Sequence, residues 1–130
     1  MLPIQVAVVD DSQVIREGLI QLLSKLPDVE LIWQAASVAE AMAAFRLIPS
    51  DVIILDVEMP DGKGIEVLEA VKKEGPGTVV MILTNYAVAP LKKRYCSSGA
   101  YFFFDKSTEF EKVFETLRVM ISKRTNEKEN

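Results

Sequence analysis

Apolar residues along the chain follow two alternating rhythms. Val6 to Val9, Val52 to Leu55, Thr78 to Leu83 and Tyr101 to Phe104 are short, nearly continuous apolar runs bounded by polar positions. Such runs suit strands buried on both faces of a parallel sheet. Leu31 to Ala36 predicts a fifth strand nearer an edge, because Gln34 interrupts it. Between the strands the period lengthens. Ile15, Leu19, Leu22, Leu23 and Leu26 paint one face of a helix ended by Pro27, and Val38, Ala41, Met42, Phe45 and Ile48 repeat the pattern before Pro49. Ile65, Leu68 and Val71 mark a third helix that stops near Gly75 and Pro76. Ala87 to Ser98 is the fourth, with Pro90 tolerable only in its first turn and Gly99 as its stop. Phe110, Val113, Phe114, Leu117 and Ile121 mark the last.

Strict strand and helix alternation predicts an α/β fold, a doubly wound five-stranded parallel sheet with five helices, because each parallel connection needs a right-handed crossover. The flavodoxin-like strand order 2-1-3-4-5 is the expected arrangement. The 130 residues fit one domain, read as residues 1–122, with 123–130 a polar tail or truncated linker.

Composition narrows the function. Fifteen Lys and Arg against 19 Asp and Glu give a net charge of −4, which disfavours a nucleic-acid or anionic-membrane binder. One cysteine forms no internal disulfide, and no apolar stretch approaches a membrane span, so a cytoplasmic location is expected. The absence of histidine removes His general bases, His metal ligands and phosphohistidine chemistry together. Carboxylates, hydroxyls and Lys remain.

In a doubly wound sheet, ligands bind beyond the carboxyl ends of the strands where the strand order reverses. The residues ending the strands there are Asp10 and Asp11, Asp56, Thr84 and Lys106. Three carboxylates brought together repel one another, and a cation resolves the conflict; an all-oxygen site of this kind suits Mg2+. Lys106 adds a fixed positive charge and Thr84 a hydroxyl for an oxyanion. These are the parts phosphoryl transfer uses, with Asp56 as the carboxylate placed to attack a donor brought from outside. Taken singly, each signal has a commoner explanation: Asp10, Asp11 and Ser12 are typical helix N-cap residues, and a strand-end Asp is often a turn residue. The convergence favours chemistry.

The acidic pair in Val9-Asp10-Asp11-Ser12, the run Ile54-Leu55-Asp56-Val57-Glu58-Met59-Pro60 followed by Gly62 and Gly64, then Thr84 and Lys106 together resemble a response-regulator receiver domain of two-component signalling, over about residues 4 to 122. The resemblance implies that Asp56 accepts a phosphoryl group from a histidine kinase. It also implies that Asp10, Asp11 and Asp56 with the backbone carbonyl of Glu58 hold Mg2+, and that Thr84 and Lys106 bind the phosphoryl oxygens. Thr84 and the aromatic on the fifth strand, Phe103, would switch together and remodel the face made by the fourth helix, fifth strand and fifth helix. A regulatory acceptor rather than an enzyme is implied, with self-phosphorylation from small donors and autodephosphorylation.

Some positions depart from the common pattern. Asn85 stands where a very small residue is usual, and Glu58 and Tyr86 occupy positions at which relatives tune phosphate lifetime. Ser107 follows Lys106 where many relatives have a cis proline, and a cis bond before a non-proline residue is costly. Lys92, Lys93, Arg94 and Tyr101 are candidate partner contacts, although basic runs are commonly just a solvated helix face. Cys96 reads as a small semi-buried hydrophobe and Trp33 as packing.

The expected partners are a sensor histidine kinase or phosphotransfer protein and a downstream effector protein, with a phosphorylation-dependent homodimer as a further candidate; no nucleic acid or membrane is expected for this domain alone. Arg16-Glu17-Gly18-Leu19 resemble receivers that precede a DNA-binding helix-turn-helix. The chain itself supports a stand-alone regulator or phosphorelay intermediate. An Asp-nucleophile phosphatase of the haloacid dehalogenase type would want Asp-x-Asp where this chain has Asp56-Val57-Glu58. The competing reading is an atypical receiver that binds proteins independently of phosphate.

Overall fold

The apolar runs do become strands, and their burial explains their composition. In the computed structural model, which describes residues 2–129, β1 spans Ile4–Val9, β2 Val29–Ala35, β3 Val52–Leu55, β4 Val79–Thr84 and β5 Phe102–Asp105. All pair in parallel in the order β2-β1-β3-β4-β5. The central strands β1, β3 and β4 are buried almost throughout, while β2 and β5 lie at the edges. This is the expected flavodoxin-like arrangement.

Five helices cover the two faces. They are α1 (Gln13–Leu23), α2 (Val38–Leu47), α3 (Gly64–Glu74), α4 (Ala89–Ser97) and α5 (Phe110–Glu129). Alternate residues of each strand point to opposite faces, which divides the core in two. Ala7, Val9, Ile53, Leu55, Val80, Ile82 and Phe103 pack with α2, α3 and α4, including Phe45, Leu68 and Tyr95. Val6, Val8, Ile54, Met81 and Leu83 pack instead with Leu19 and Leu23 of α1 and Val113 and Leu117 of α5. Phe102 and Phe104 join this second layer, stacked with ring centroids 5.8 Å apart, as strand alternation requires.

Helix ends follow local chemistry. Ser12 caps α1, its hydroxyl accepting from the Ile15 N–H at 3.3 Å, and Ser37 caps α2 by accepting from Glu40 N–H at 3.1 Å. Pro90 sits in the first turn of α4, and Gly99 beyond its end adopts φ 114, a conformation that side-chain-bearing residues rarely reach.

Beyond shifts of a few residues at element ends, as at Leu26, which follows α1 instead of closing it, three features differ from the sequence expectation. Between β3 and α3 the chain forms a small antiparallel ribbon of two-residue arms, Glu58–Met59 and Gly62–Lys63. Helix α5 runs through Glu129, past Ser122; Asn130 lies outside the described residues. Cys96 is exposed rather than semi-buried, because the inward position on that turn of α4 is taken by its neighbour Tyr95, 2% exposed. No helix among the described residues is long and apolar enough to cross a membrane. Their peptide bonds are all trans, including Lys106–Ser107.

Candidate functional site

The sheet register carries the acids to one edge. The Asp10 N–H donates to the Ala35 carbonyl at 3.0 Å and the Asp56 N–H to the Val9 carbonyl at 3.0 Å, so both residues sit one step beyond paired strand ends. Asp10, Asp11 and Asp56 each present a carboxylate oxygen within 4.8 Å of the others. Asp10 and Asp56 are buried, whereas Asp11 is exposed.

Lys106, just past β5, reaches across to this cluster. Its Nζ lies 2.6 Å from Asp10 Oδ2 and 2.8 Å from Asp56 Oδ2, with side-chain exposures of 7%, 4% and 8% for Lys106, Asp10 and Asp56. Asp56 Oδ1 accepts from the Val57 N–H at 2.7 Å and Asp10 Oδ1 from the Ser12 N–H at 2.9 Å. Burial pushes the Asp10 carboxyl above the ordinary aspartate range, and the hydrogen bonds from Lys106 and Ser12 pull only part of that back. Burial also acts to lower the Lys106 amine, but its bonds to Asp10 and Asp56 outweigh this and leave it above the usual lysine value.

One ammonium among three carboxylates leaves an excess of negative charge, and the donors are all hard oxygens. That set fits a divalent cation of the Mg2+ type. The cluster opens into a cleft of about 570 Å³ lined by Asp11, Asp56, Glu58, Asn85, Tyr86 and Lys106, among others.

Thr84 ends β4, is fully buried, and is not among the residues lining the cleft. Its hydroxyl accepts from the Tyr86 N–H at 3.2 Å, and its carbonyl accepts from the Lys106 N–H at 2.9 Å, which ties it to the lysine through the backbone. Phe103 points inward, 6% exposed, and meets Tyr95 of α4 edge to face at 6.1 Å. On the outer side Lys92, Lys93 and Arg94 are exposed along α4. Tyr101 is 66% exposed, with Lys72 Nζ standing 4.8 Å from its ring centroid.

Residues 6–118 match the response regulator receiver domain. The chain belongs to that family. It is a non-catalytic receiver of the two-component superfamily, and its Asp10, Asp11 and Asp56 cluster matches the phosphoacceptor and Mg2+ site of such domains. Among relatives, it is 42% identical over 83 residues to the DNA-binding transcriptional activator DevR/DosR of Mycobacterium tuberculosis, covering 64% of this chain and 38% of that one. It is 31% identical over 117 residues to the response regulator protein VraR of Staphylococcus saprophyticus, covering 90% of this chain and 56% of that one. The chain thus spans 38% and 56% of these curated relatives. The response regulator domain of Thermotoga maritima CheB superposes with a TM-score of 0.80 at 30% identity, covering 95% of this chain and 97% of that one. The isolated receiver domain of RcsB from Salmonella enterica shares the fold, with a TM-score of 0.85 at 16% identity over 92% of this receiver and 89% of that chain.

The structure also shows residues around the site that sequence reading passes over. Arg16 of α1 donates from its guanidinium to the Asp10 carbonyl at 2.7 Å and to Gln34 Oε1 at 2.9 Å, tying α1 to the ends of β1 and β2. Asp61, in the turn of the ribbon, accepts from the first N–H groups of α2, Val38 at 2.8 Å and Ala39 at 3.0 Å. Lys63 holds Glu58. Arg16 carries a signal of sorts, since it follows the Ser12 N-cap by one helical turn; Asp61 and Lys63 have none.

Proposed function

We propose that Asp56 is the phosphoacceptor, that Asp10, Asp11 and Asp56 with the Glu58 backbone carbonyl hold Mg2+, and that Lys106 and Thr84 bind the phosphoryl oxygens. The observation that carries this reading is the Lys106 ammonium shared by two buried carboxylates at the mouth of an open cleft. An Asp56 carboxylate oxygen attacks phosphorus as the bond from phosphorus to a phosphohistidine nitrogen breaks, and that nitrogen keeps the electron pair and takes up a proton. Held by Asp10, Asp11 and Asp56, Mg2+ would supply neutralisation of the negative charge shared by these acids and the phosphoryl oxygens. Lys106 turns from the carboxylates to an equatorial oxygen, and the Thr84 hydroxyl leaves the Tyr86 N–H to donate to another.

Withdrawal of Thr84 toward the phosphoryl group would bias Phe103 and the face of α4, β5 and α5, where Lys92, Lys93, Arg94 and Tyr101 are candidate contacts. Glu58, Asn85 and Tyr86 line the cleft, which supports a part for them in tuning phosphate lifetime. The donor partner is a sensor histidine kinase or a phosphotransfer protein in the cytoplasm, and the output an effector protein or domain; the names of DevR/DosR and VraR support a regulatory output. The unit carrying this activity is residues 1–122, with 123–130 a polar tail or linker.

Intact mass after incubation with acetyl phosphate and Mg2+ tests the reading. One phosphoryl increment is expected, lost in Asp56→Asn and with a chelator. No increment, with Mg2+ binding confirmed separately, would instead favour a phosphate-independent binding module.

A further inference from the structure

The ribbon after Asp56 carries a second charged pair at the rim of the cleft. Glu58 and Lys63 face each other across its two arms. Lys63 Nζ lies 2.7 Å from Glu58 Oε1 and 2.6 Å from Oε2, so a single ammonium engages both carboxylate oxygens. Glu58 lines the acidic cleft but Lys63 does not. Lys63 borders a neighbouring pocket of about 300 Å³ together with Glu58, Tyr86, Arg94 and the buried Tyr95. Among the described residues, Lys63 is the only side chain hydrogen-bonded to Glu58. The ammonium therefore engages Glu58 from the side of the second pocket.

A free Glu58 carboxylate, two residues from Asp56, would become a fourth acid beside Asp10, Asp11 and Asp56. We propose that Lys63 is a positioning residue that holds the Glu58 carboxylate at the rim, apart from the Asp10, Asp11 and Asp56 cluster, and so sets how strongly the cleft binds a divalent cation. The proposal rests on the reading of this cleft as the Mg2+ and phosphoacceptor site. The pair is half exposed, at 57% and 46%, so its hold is weak enough to be reversible. A carboxylate released from it adds attraction for a cation and repulsion for an anionic phosphodonor.

The test is a double-mutant cycle on the full chain, read by calorimetric titration with MgCl2, because the cycle separates coupling from the separate charge effects. Lys63→Met should tighten Mg2+ binding about fivefold, the scale of one added unit charge near a divalent ion in high dielectric. In the Glu58→Gln background, which keeps the Glu58 backbone carbonyl, the same change should tighten binding by a clearly smaller factor, because only the ammonium's own charge is then lost. Lys63→Arg preserves the pair and should keep the wild-type affinity. Rates of phosphorylation by acetyl phosphate should move the opposite way, slowing in Lys63→Met only while Glu58 is present. Equal factors in both backgrounds would mean that Lys63 acts through its own charge alone and would overturn the proposal, as would an unchanged affinity in Lys63→Met. A wild-type chain that takes up no phosphoryl group overturns the acceptor reading instead, and the Mg2+ cycle still decides for Lys63.

Discussion

Lys106→Met removes the charge at the centre of the site while keeping a side chain of similar length. Nζ sits 2.6 and 2.8 Å from two carboxylate oxygens in surroundings less than 10% exposed on all three side chains. Removing one partner from a buried ion pair costs about 3–5 kcal/mol, because the remaining charge stays buried without compensation. Against a total stability of about 5–15 kcal/mol for a domain, the variant should still fold, with a much narrower margin. Two conditions should relieve the loss. Acid is one, since burial already raises Asp10 and loss of the Lys106 hydrogen bond raises it further. A carboxyl whose folded pKa exceeds its unfolded value binds more protons when folded, so its contribution to stability falls as pH rises from about 3.9 through the folded value. The deficit of Lys106→Met is therefore largest at neutral pH and shrinks as pH falls through the folded value. Mg2+ is the other, since a ligand at a hundred times its dissociation constant stabilises by about 2.7 kcal/mol. Urea unfolding followed by the fluorescence of Trp33, the single tryptophan, measures all of this, in EDTA and in MgCl2 at two pH values. A deficit below about 1 kcal/mol at neutral pH in EDTA, or one indifferent to both acid and Mg2+, would refute the assignment of an uncompensated buried cluster.

Gly64→Ala would drive a Cβ into the Asp56 backbone carbonyl, where the Gly64 N–H already holds the Val57 carbonyl at 2.7 Å. It should cost about 1–3 kcal/mol in urea unfolding and weaken Mg2+ binding, because the loop carrying Asp56 must shift. Tyr95→Ala removes a buried ring packed against Phe103 and should lower stability by about 3–5 kcal/mol in the same assay, whereas Tyr95→Phe should cost far less. Asp61→Asn removes a carboxylate whose pKa the N–H groups of Ala39 and Val38 hold below the ordinary value. Such a group adds stability above its unfolded pKa and loses it as pH falls through the folded one; the wild-type advantage in melting temperature should be constant above about pH 5 and vanish at lower pH.

The strands and helices were legible because their burial is written in periods of two and 3.6, and the five strand-end residues because parallel topology must deliver them to one edge. Boundaries moved where a single residue decides them. Leu26 still packs, 8% exposed, but in the turn after α1 rather than in the helix. The ribbon was invisible, since arms of two residues carry no period. The reach of α5 through Glu129 was hidden by its polarity, although Lys, Arg and Glu are good helix formers without an apolar face. Cys96 shows the limit of composition as a guide: adjacent positions on a helix face 100° apart, and only the fold decided that Tyr95 would be the one inside. Asp61 and Lys63 act on partners fixed by loop geometry, which no local pattern encodes.

Lys106 and Asp56 are fifty positions apart and Asp10 lies still further towards the start of the chain. The lysine also sits beyond the edge strand β5, the last to join the sheet in chain order. During synthesis, a nascent chain that has emerged only as far as β4 has its acids but not their counter-ion, and the long-range closure that brings them together comes at the end. On the proposed phosphoacceptor reading, a chain made only as far as β4 lacks the ammonium that the acids share, so acceptance of a phosphoryl group waits for the segment that follows β5.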